Sequence, residues 1–248
     1  MESLRELYNQ HEGRLLHKWD HFIDIYDLHF SKYRHTEFVF LEIGVAHGGS
    51  LELWRKYFGE KATIIGVDVN PECKKFEQGN TKVIIGSQED ENFLRSLKEQ
   101  LPKIDVLLDD GGHTMKQQMI TFRVLFDHVK ENGLYVCEDL HTSYWPEYGG
   151  GYKRKSSFIE FSKTIIDKLH GWHAPRHQRS KMFSHLTESV YGLHYYDSIL
   201  VIEKRSVKKP YTTFRGEEQL TNMPQYKAYG TQKVFTKTVR KWIKKIIR

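Results

Sequence analysis

Two short acidic motifs hold most of the residues that could do chemistry in this chain. Asp109–His113 has the sequence D-D-G-G-H, and Glu138-Asp139 follows it; each comes directly after an apolar stretch typical of a β-strand. Carboxylates that are crowded together repel one another unless a proton or a cation lies between them. The two motifs therefore predict a divalent metal site with a histidine base beside it, and hence an enzyme.

A glycine-rich turn further upstream predicts a second binding function. The apolar segment 38–43 leads into the spacing Glu42-x-Gly44-x-x-x-Gly48, where glycines let the backbone approach a ligand closely. A second apolar segment ends at Asp68, 20 residues after Gly48, which suits a carboxylate that binds ribose hydroxyls. Glycine turns also serve strand packing, and the nicotinamide fingerprint G-x-G-x-x-G is not met. The position of Asp68 nevertheless favours an adenosine-containing cofactor.

These motifs need a scaffold, and the hydrophobic pattern predicts one. Apolar strand candidates alternate with helical stretches: strands at 38–43, 63–68, 82–85, 104–108 and 133–138, and helices at 50–58, 90–100 and 115–130. This alternation predicts a Rossmann-like α/β fold, a mostly parallel sheet with helices on both faces. The last candidates, 189–196 and 198–203, predict an antiparallel C-terminal hairpin. Such sheets bind ligands beyond the carboxyl ends of their strands, where both acidic motifs would lie.

The 248 residues fit one large α/β domain with additions, or at most two small domains. We expect an N-terminal helical segment at 1–35, the main domain at 36–205 and a basic tail at 206–248. Within the main domain, residues 144–187 interrupt the strand order with glycines, aromatics, histidines and basic residues. Insertions after a strand end commonly wall a substrate site, so we expect this insert to form a lid.

The composition limits the class of protein and its location. Hydrophobic residues make up 39% of the chain and aromatic residues 13%, which is enough for a packed core and argues against disorder. The sequence contains no apolar run of about 18 residues, so we expect no transmembrane helix. Its start is polar, so we expect no signal peptide. Cys73 and Cys137 are the two cysteines, so we expect no disulfide framework and a cytoplasmic location.

The formal net charge of +6 is concentrated towards the C-terminus. Residues 237–248 combine basic residues with apolar residues at helical spacing, which predicts a short basic amphipathic helix. Two interpretations stay open: contact with an anionic membrane or another polyanion, or docking on its own domain or on a second copy in a homo-oligomer. No nucleic-acid partner is expected.

The motifs resemble those of a known family. The turn Glu42–Ser50 and Asp68 resemble the first motif and the ribose-binding acid of class I S-adenosylmethionine-dependent methyltransferases, in which the loop 86–90 would frame adenine. The motifs 104–113 and 133–145 resemble the metal-dependent sugar O-methyltransferases of the macrocin and mycinamicin type. The resemblance runs from about residue 19 to residue 152, with a fainter match at 195–198.

The resemblance implies a role for each site residue. It makes Asp110, Glu138 and Asp139 the metal ligands and His113 the catalytic base. It assigns S-adenosylmethionine binding to Glu42, Gly44, Ala46, Gly48, Ser50, Asp68, Ser87, Gln88, Asp90 and Asp109, of which Asp109 either faces the cofactor or supports the metal ligands. Oxygen ligands favour a hard cation, so we expect Mg²⁺, with Mn²⁺ or Fe²⁺ as alternatives.

The expected acceptor is a sugar hydroxyl on a nucleotide sugar, a surface polysaccharide or a glycosylated natural product. The predicted substrate contacts are His141, Tyr144, Tyr148, Arg176 and Arg179. The basic residues of the insert favour an acceptor that carries phosphate, because arginine binds phosphate through paired hydrogen bonds. Two other functions stay open: methylation of a catechol-like or other small diol, and a non-catalytic binding module on the same fold. His173 and His177 suggest zinc, but the sequence offers no third ligand.

Overall fold

A seven-stranded sheet forms the centre of the fold, in a computed structural model that describes residues 2–213, 215 and 216. The strands are β1 (Val39–Ile43), β2 (Thr63–Asp68), β3 (Thr81–Ile85), β4 (Ile104–Asp109), β5 (Val129–Cys137), β6 (Val190–Tyr196) and β7 (Ile199–Lys204). Their spatial order is β3-β2-β1-β4-β5-β7-β6, with β1 to β5 parallel and β7 antiparallel between β5 and β6. The predicted fold class, including its C-terminal hairpin, is confirmed.

Helices cover both faces of this sheet. They are α1 (Leu4–Asn9), α2 (Phe22–Phe30), α3 (Gly49–Phe58), α4 (Glu91–Gln100), α5 (Met115–Leu125), α6 (Phe158–Leu169), α7 (Arg179–Met182) and α8 (His185–Ser189). One face buries an aromatic cluster around Trp54 and Phe30 from α3 and α2. The other face buries Leu94, Phe122 and Ile165 from α4, α5 and α6. The strand order reverses between β1 and β4, which is where α/β sheets of this kind bind ligands.

One boundary differs from the sequence prediction. The predicted helix 115–130 ends at Leu125, a short 3₁₀ turn follows, and β5 begins at Val129 instead of residue 133. Val129 pairs with Ile104 of β4, and the Nε2 nitrogen of His128 lies 3.1 Å and 3.0 Å from the carbonyl oxygens of Leu101 and Pro102. The residues that were predicted to form the last turn of this helix therefore form a 3₁₀ turn and the start of β5, which pairs with β4.

The added segments have the following structure. The N-terminal segment has α1 and α2, joined by residues 10–21 without regular helix. The predicted lid contains α6, α7 and α8, and α6 buries Phe158 and Ile165 in the core. The longest α-helix of the described chain, α6, has 12 residues, and none there could span a bilayer. The predicted C-terminal helix at 237–248 lies outside the described residues, and the domain boundaries stay predictions.

Candidate active site

A cavity of about 390 Å³ opens at the carboxyl ends of β1, β2, β4 and β5. Its walls include residues from the glycine turn, the end of β2, both acidic motifs and residues 15–19 of the N-terminal segment. The predicted site residues that line it are Gly44, Ala46, Ser50, Asp68, Gln88, Asp110, His113, Glu138 and Asp139. The structure therefore brings the predicted cofactor turn and the predicted metal ligands into one cavity.

The glycines of the turn allow it to pack closely against neighbouring parts of the protein. Gly44 has a φ of +96°, and a side chain there would overlap the carbonyl oxygen of Asp110. Gly48, with a φ of +77°, leads into α3. Glu42 is buried behind this turn, where its carboxylate accepts hydrogen bonds from Ser50 Oγ (2.8 Å) and Trp54 Nε1 (3.2 Å). Glu42 therefore anchors the start of α3, while the backbone of the turn faces the cavity.

Asp68 at the end of β2 holds the glycine turn from the other side. Its Oδ2 accepts hydrogen bonds from the backbone N–H groups of Val45 and Ala46, each at 2.9 Å, and its Oδ1 accepts one from Asn70 at 2.8 Å. Asp68 also lines the cavity. It can thus order the turn and face the predicted ribose position at the same time.

The predicted adenine loop divides into two parts. Gln88 lines the cavity, and its side chain binds three groups: Asp109, Thr121 Oγ1 at 3.0 Å and the N–H of Gly112 at 3.1 Å. Ser87 and Asp90 do not line the cavity. Asp90 instead caps α4, since its Oδ1 accepts the N–H groups of the first turn. Gln88 therefore connects the loop after β3 to the D-D-G-G-H motif.

Asp109 lies behind the cavity. It is buried, and its carboxylate accepts hydrogen bonds from Gln88 and from the hydroxyl of Tyr135 (3.1 Å). Burial raises the pKa of Asp109 to about 7, against the opposing hydrogen bonds. This placement fits the interpretation of Asp109 as a residue that supports its neighbour Asp110.

The acidic centre of the cavity contains a lysine that the sequence did not reveal. Lys18 Nζ lies 2.9 Å from Glu138 Oε1 and 3.7 Å from Glu42 Oε1, and it forms a short ion pair with Asp110. Burial raises the pKa of Asp110 to about 7 and that of Glu138 to about 8, although Lys18 acts against both shifts. Burial alone would lower the pKa of Lys18, but the three carboxylates outweigh it and raise the pKa. Lys18 is therefore a buried ammonium that partly balances the clustered negative charge.

His113 points its Nε2 into the same centre. That nitrogen lies 3.3 Å from Asp139 Oδ2 and 3.9 Å from Asp110 Oδ1, while Nδ1 is buried without a hydrogen-bond partner. Burial lowers the pKa of His113, although Asp139 acts in the opposite direction. The residue has a φ of +56°, a left-handed conformation that is uncommon for residues other than glycine. His113 is thus held where a neutral imidazole can accept a proton.

Two sets of residues could hold a metal ion. In the first set, ligand atoms of Asp110, His113 and Asp139 lie within 4.8 Å of one another. Glu138 is not part of this set. The predicted set uses Glu138 in place of His113, and Glu138 is currently bound to Lys18. His173 and His177 belong to no such group among the described residues.

The predicted substrate residues do not all meet. His141 has its Nδ1 3.0 Å from Ser198 Oγ and 3.9 Å from Asp139 Oδ1, and together with Tyr144 it lines a second cavity. Tyr148 and Arg176 line neither cavity, and Arg179 lies over the ring of Phe183 at 4.8 Å. Their contact with an acceptor stays a prediction.

The N-terminal segment supplies the site residues that the sequence analysis missed. Residues 15–19 line the first cavity, and Trp19 Nε1 donates a hydrogen bond to Asp139 Oδ1 at 3.1 Å. Arg14 fixes this stretch through a backbone hydrogen bond to Glu52 Oε2 at 2.8 Å. Lys18 and Trp19 belong to neither acidic motif nor to the glycine turn, so the sequence analysis assigned neither of them to the site.

Comparisons with known proteins agree with this geometry. Residues 41–140 match the family described as a methyltransferase domain. The chain is 35% identical over 198 residues to a tetracenomycin-C 3'-O-methyltransferase of Streptomyces olivaceus that acts on a methoxyrhamnosyl derivative, covering 75% of this chain and 50% of that protein. It is 34% identical to demethylmacrocin O-methyltransferase of Streptomyces fradiae, covering 72% of this chain and 47% of that protein.

A solved structure is similar as well. The methyltransferase MycE of the mycinamycin pathway, in complex with Mg, SAH and mycinamycin VI, matches with a TM-score of 0.74 and 29% identity. The match covers 83% of this chain and 54% of MycE. The present chain thus spans about half the length of the curated relatives it matches.

The fold is the Rossmann-like methyltransferase fold. More particularly, residues 41–140 match the methyltransferase domain family, and the chain is similar to sugar O-methyltransferases of macrolide and tetracenomycin pathways, as the sequence motifs predicted.

Proposed function

We propose that this chain transfers the methyl group of S-adenosylmethionine to a hydroxyl of a sugar-containing acceptor, with the help of a divalent cation. The main support for this proposal is that one cavity is lined by Asp110, His113, Glu138 and Asp139 together with the glycine turn and Asp68. Relatives that methylate sugars, and MycE with Mg and SAH, support it.

The donor set suits the proposed cation. The carboxylates of Asp110, Glu138 and Asp139 offer only oxygen ligands, which Mg²⁺ and Mn²⁺ prefer. Glu138 is buried, and Asp110 and Asp139 are mostly shielded from solvent, so uncompensated negative charge on this cluster is costly and favours positive charge near it. We propose these three residues as the ligands. Lys18 would then have to release Asp110 and Glu138, at least in part. When bound, the cation lowers the pKa of a sugar hydroxyl placed beside it.

Residues of the chain would bind the methyl donor and accept the proton of the acceptor. Asp68 and the glycine turn hold the adenosine part of the methyl donor. His113 Nε2 takes the proton of the acceptor hydroxyl, and the oxygen forms its new bond to the methyl carbon as the bond from that carbon to sulfur breaks. The products are the methyl ether, protonated His113 and S-adenosylhomocysteine. The chain's main contribution is to hold oxygen, methyl carbon and sulfur in line.

The activity test uses a sugar acceptor and a variant chosen for the backbone of residue 113. S-adenosylhomocysteine should form from S-adenosylmethionine when rhamnosides are supplied with Mg²⁺. His113→Asn should lower kcat by about 10²–10⁴ while cofactor binding persists, because asparagine tolerates the left-handed conformation but is not a base. His185→Asn, an exposed histidine on α8, is the matched control. Turnover of catechols but not of sugars would favour the small-diol alternative, and no turnover at all would favour a binding module.

Other features of the acceptor and the chain remain proposals that rest on the sequence. Arg176 and Arg179 are proposed to bind a phosphate on the acceptor, and the basic C-terminal segment to contact an anionic membrane or a second copy. A cytoplasmic location fits a biosynthetic enzyme of this family.

A further inference from the structure

A second cavity of about 420 Å³ lies next to the acidic centre. It is formed by the turn after β5, by α6 and by the β6–β7 hairpin, and its walls include Tyr144, Tyr195, Ile159 and Ile166. Several of these side chains stay open to solvent: Tyr144 is 48% exposed, Tyr195 41% and Ile166 39%. Aromatic and aliphatic side chains gathered at an open cavity commonly mark a ligand site.

His141 links this cavity to the proposed reaction centre. It forms part of the cavity wall, its Nδ1 lies 3.0 Å from Ser198 Oγ, and the same nitrogen lies 3.9 Å from Asp139 Oδ1. The imidazole also packs against Trp145, with ring centroids 4.6 Å apart. His141 therefore contacts the second cavity on one side and lies close to Asp139 on the other, so a molecule with one hydroxyl at Asp139 lies near this cavity.

The charges of the cavity indicate what it can hold. Among the residues that the structure describes, its walls contain one cation, Lys163, and one carboxylate, Asp197. Lys163 is already paired with Glu160 at 2.5 Å. With no surplus of positive charge, the cavity gives an anion no advantage, whereas its tyrosine rings and isoleucines suit an uncharged molecule with apolar faces.

We infer that the second cavity binds the uncharged, apolar part of a glycoside acceptor, the aglycone or outer ring attached to the sugar whose hydroxyl is methylated. This inference rests on the proposed function, because that function places the reacting hydroxyl at Asp139. It adds a specificity site: the acidic centre binds the sugar, and Tyr195 and Ile166 contact the group attached to the sugar.

The test compares two probes with the same sugar. Methyl α-L-rhamnoside and p-nitrophenyl α-L-rhamnoside are titrated into the full chain in the presence of S-adenosylhomocysteine and Mg²⁺, with binding followed by saturation-transfer NMR. Burial of the aryl ring predicts that the p-nitrophenyl probe binds at least about tenfold more tightly. Tyr195→Ala and Ile166→Glu should each reduce that advantage severalfold and leave binding of the methyl probe unchanged. Tyr191→Ala, which removes a similarly exposed tyrosine from the same strand but outside the cavity, should keep it.

The outcomes separate the two claims. Equal affinity for the two probes, no binding of the aryl probe, or an aryl advantage that survives both cavity variants would overturn the second site. Binding of the aryl probe that depends on Tyr195 and Ile166, but without methylation of either rhamnoside, would support the cavity and count against the proposed function.

Discussion

Lys18 Nζ lies 2.9 Å from Glu138 Oε1, and both side chains are almost wholly buried, at 3% and 2% exposure. The two residues are 120 positions apart in the chain, so this ion pair fastens the irregular stretch before α2 to the end of β5. Asp110 and Glu42 share the same ammonium. The site thus includes its own positive charge, delivered by the N-terminal segment.

Lys18→Met tests the importance of this ammonium. Removing one partner of a buried ion pair leaves uncompensated carboxylates, which typically costs about 3–5 kcal/mol of unfolding free energy. We expect that loss in urea unfolding of chelator-treated protein. Mg²⁺ should restore more stability to the variant than it adds to the wild type, since the cation can replace the missing charge.

The matched control for that experiment is Lys130→Met. Lys130 pairs with Asp105 at 2.7 Å, but its side chain is 42% exposed, so its loss should cost no more than about 1 kcal/mol. If the two variants lose equal stability, or if Mg²⁺ helps neither, Lys18 is not the counter-charge of the acidic centre.

Asp68→Ala should weaken cofactor binding by disordering the glycine turn. The substitution removes the acceptor of two backbone hydrogen bonds, from Val45 and Ala46, in addition to the predicted ribose contact. Charged hydrogen bonds contribute about 1.5–3 kcal/mol each, so affinity for S-adenosylhomocysteine should fall at least about tenfold in calorimetric titration. Glu99→Ala, an exposed acid on α4, should change nothing. Unaltered affinity of the Asp68 variant would show that the turn orders itself without this carboxylate.

The sequence was sufficient to predict the sheet and the position of both acidic motifs. Apolar strands that end in aspartate or glutamate place those acids at one edge of a parallel sheet. The sequence was not sufficient for Lys18 or Trp19, which reach the site from an irregular segment through tertiary contacts alone. Asp90 illustrates a local signal that competed with the predicted one: an aspartate just before a helix is a typical N-cap, and the structure uses it so. The predicted end of α5 was wrong for a similar reason, because pairing of Val129 with β4 outweighed the helical pattern of the sequence.

The stability of the fold should fall in mild acid in part through His128. Burial lowers its pKa below the ordinary value of about 6.5, so the unfolded chain binds this proton more readily than the folded chain. Its contribution to stability is therefore present above pH 6.5 and is lost as the pH falls through the lowered pKa. His128→Gln, which can still donate to the carbonyls of Leu101 and Pro102, should lose less unfolding free energy than the wild type between about pH 8 and about pH 5.5. Parallel pH dependence of the two proteins in urea unfolding would assign the acid sensitivity to other groups.

The dependence of methyl transfer on a divalent cation tests the central claim most directly. S-adenosylhomocysteine formation from S-adenosylmethionine and p-nitrophenyl α-L-rhamnoside should stop in chelator-treated protein and return when Mg²⁺ or Mn²⁺ is added. Asp139→Asn should lower the rate at limiting Mg²⁺ by at least about tenfold and recover partly in excess Mg²⁺, whereas Asp167→Asn on the exposed side of α6 should behave as wild type. Full activity in the presence of chelator would contradict a role for Asp110, Glu138 and Asp139 as metal ligands.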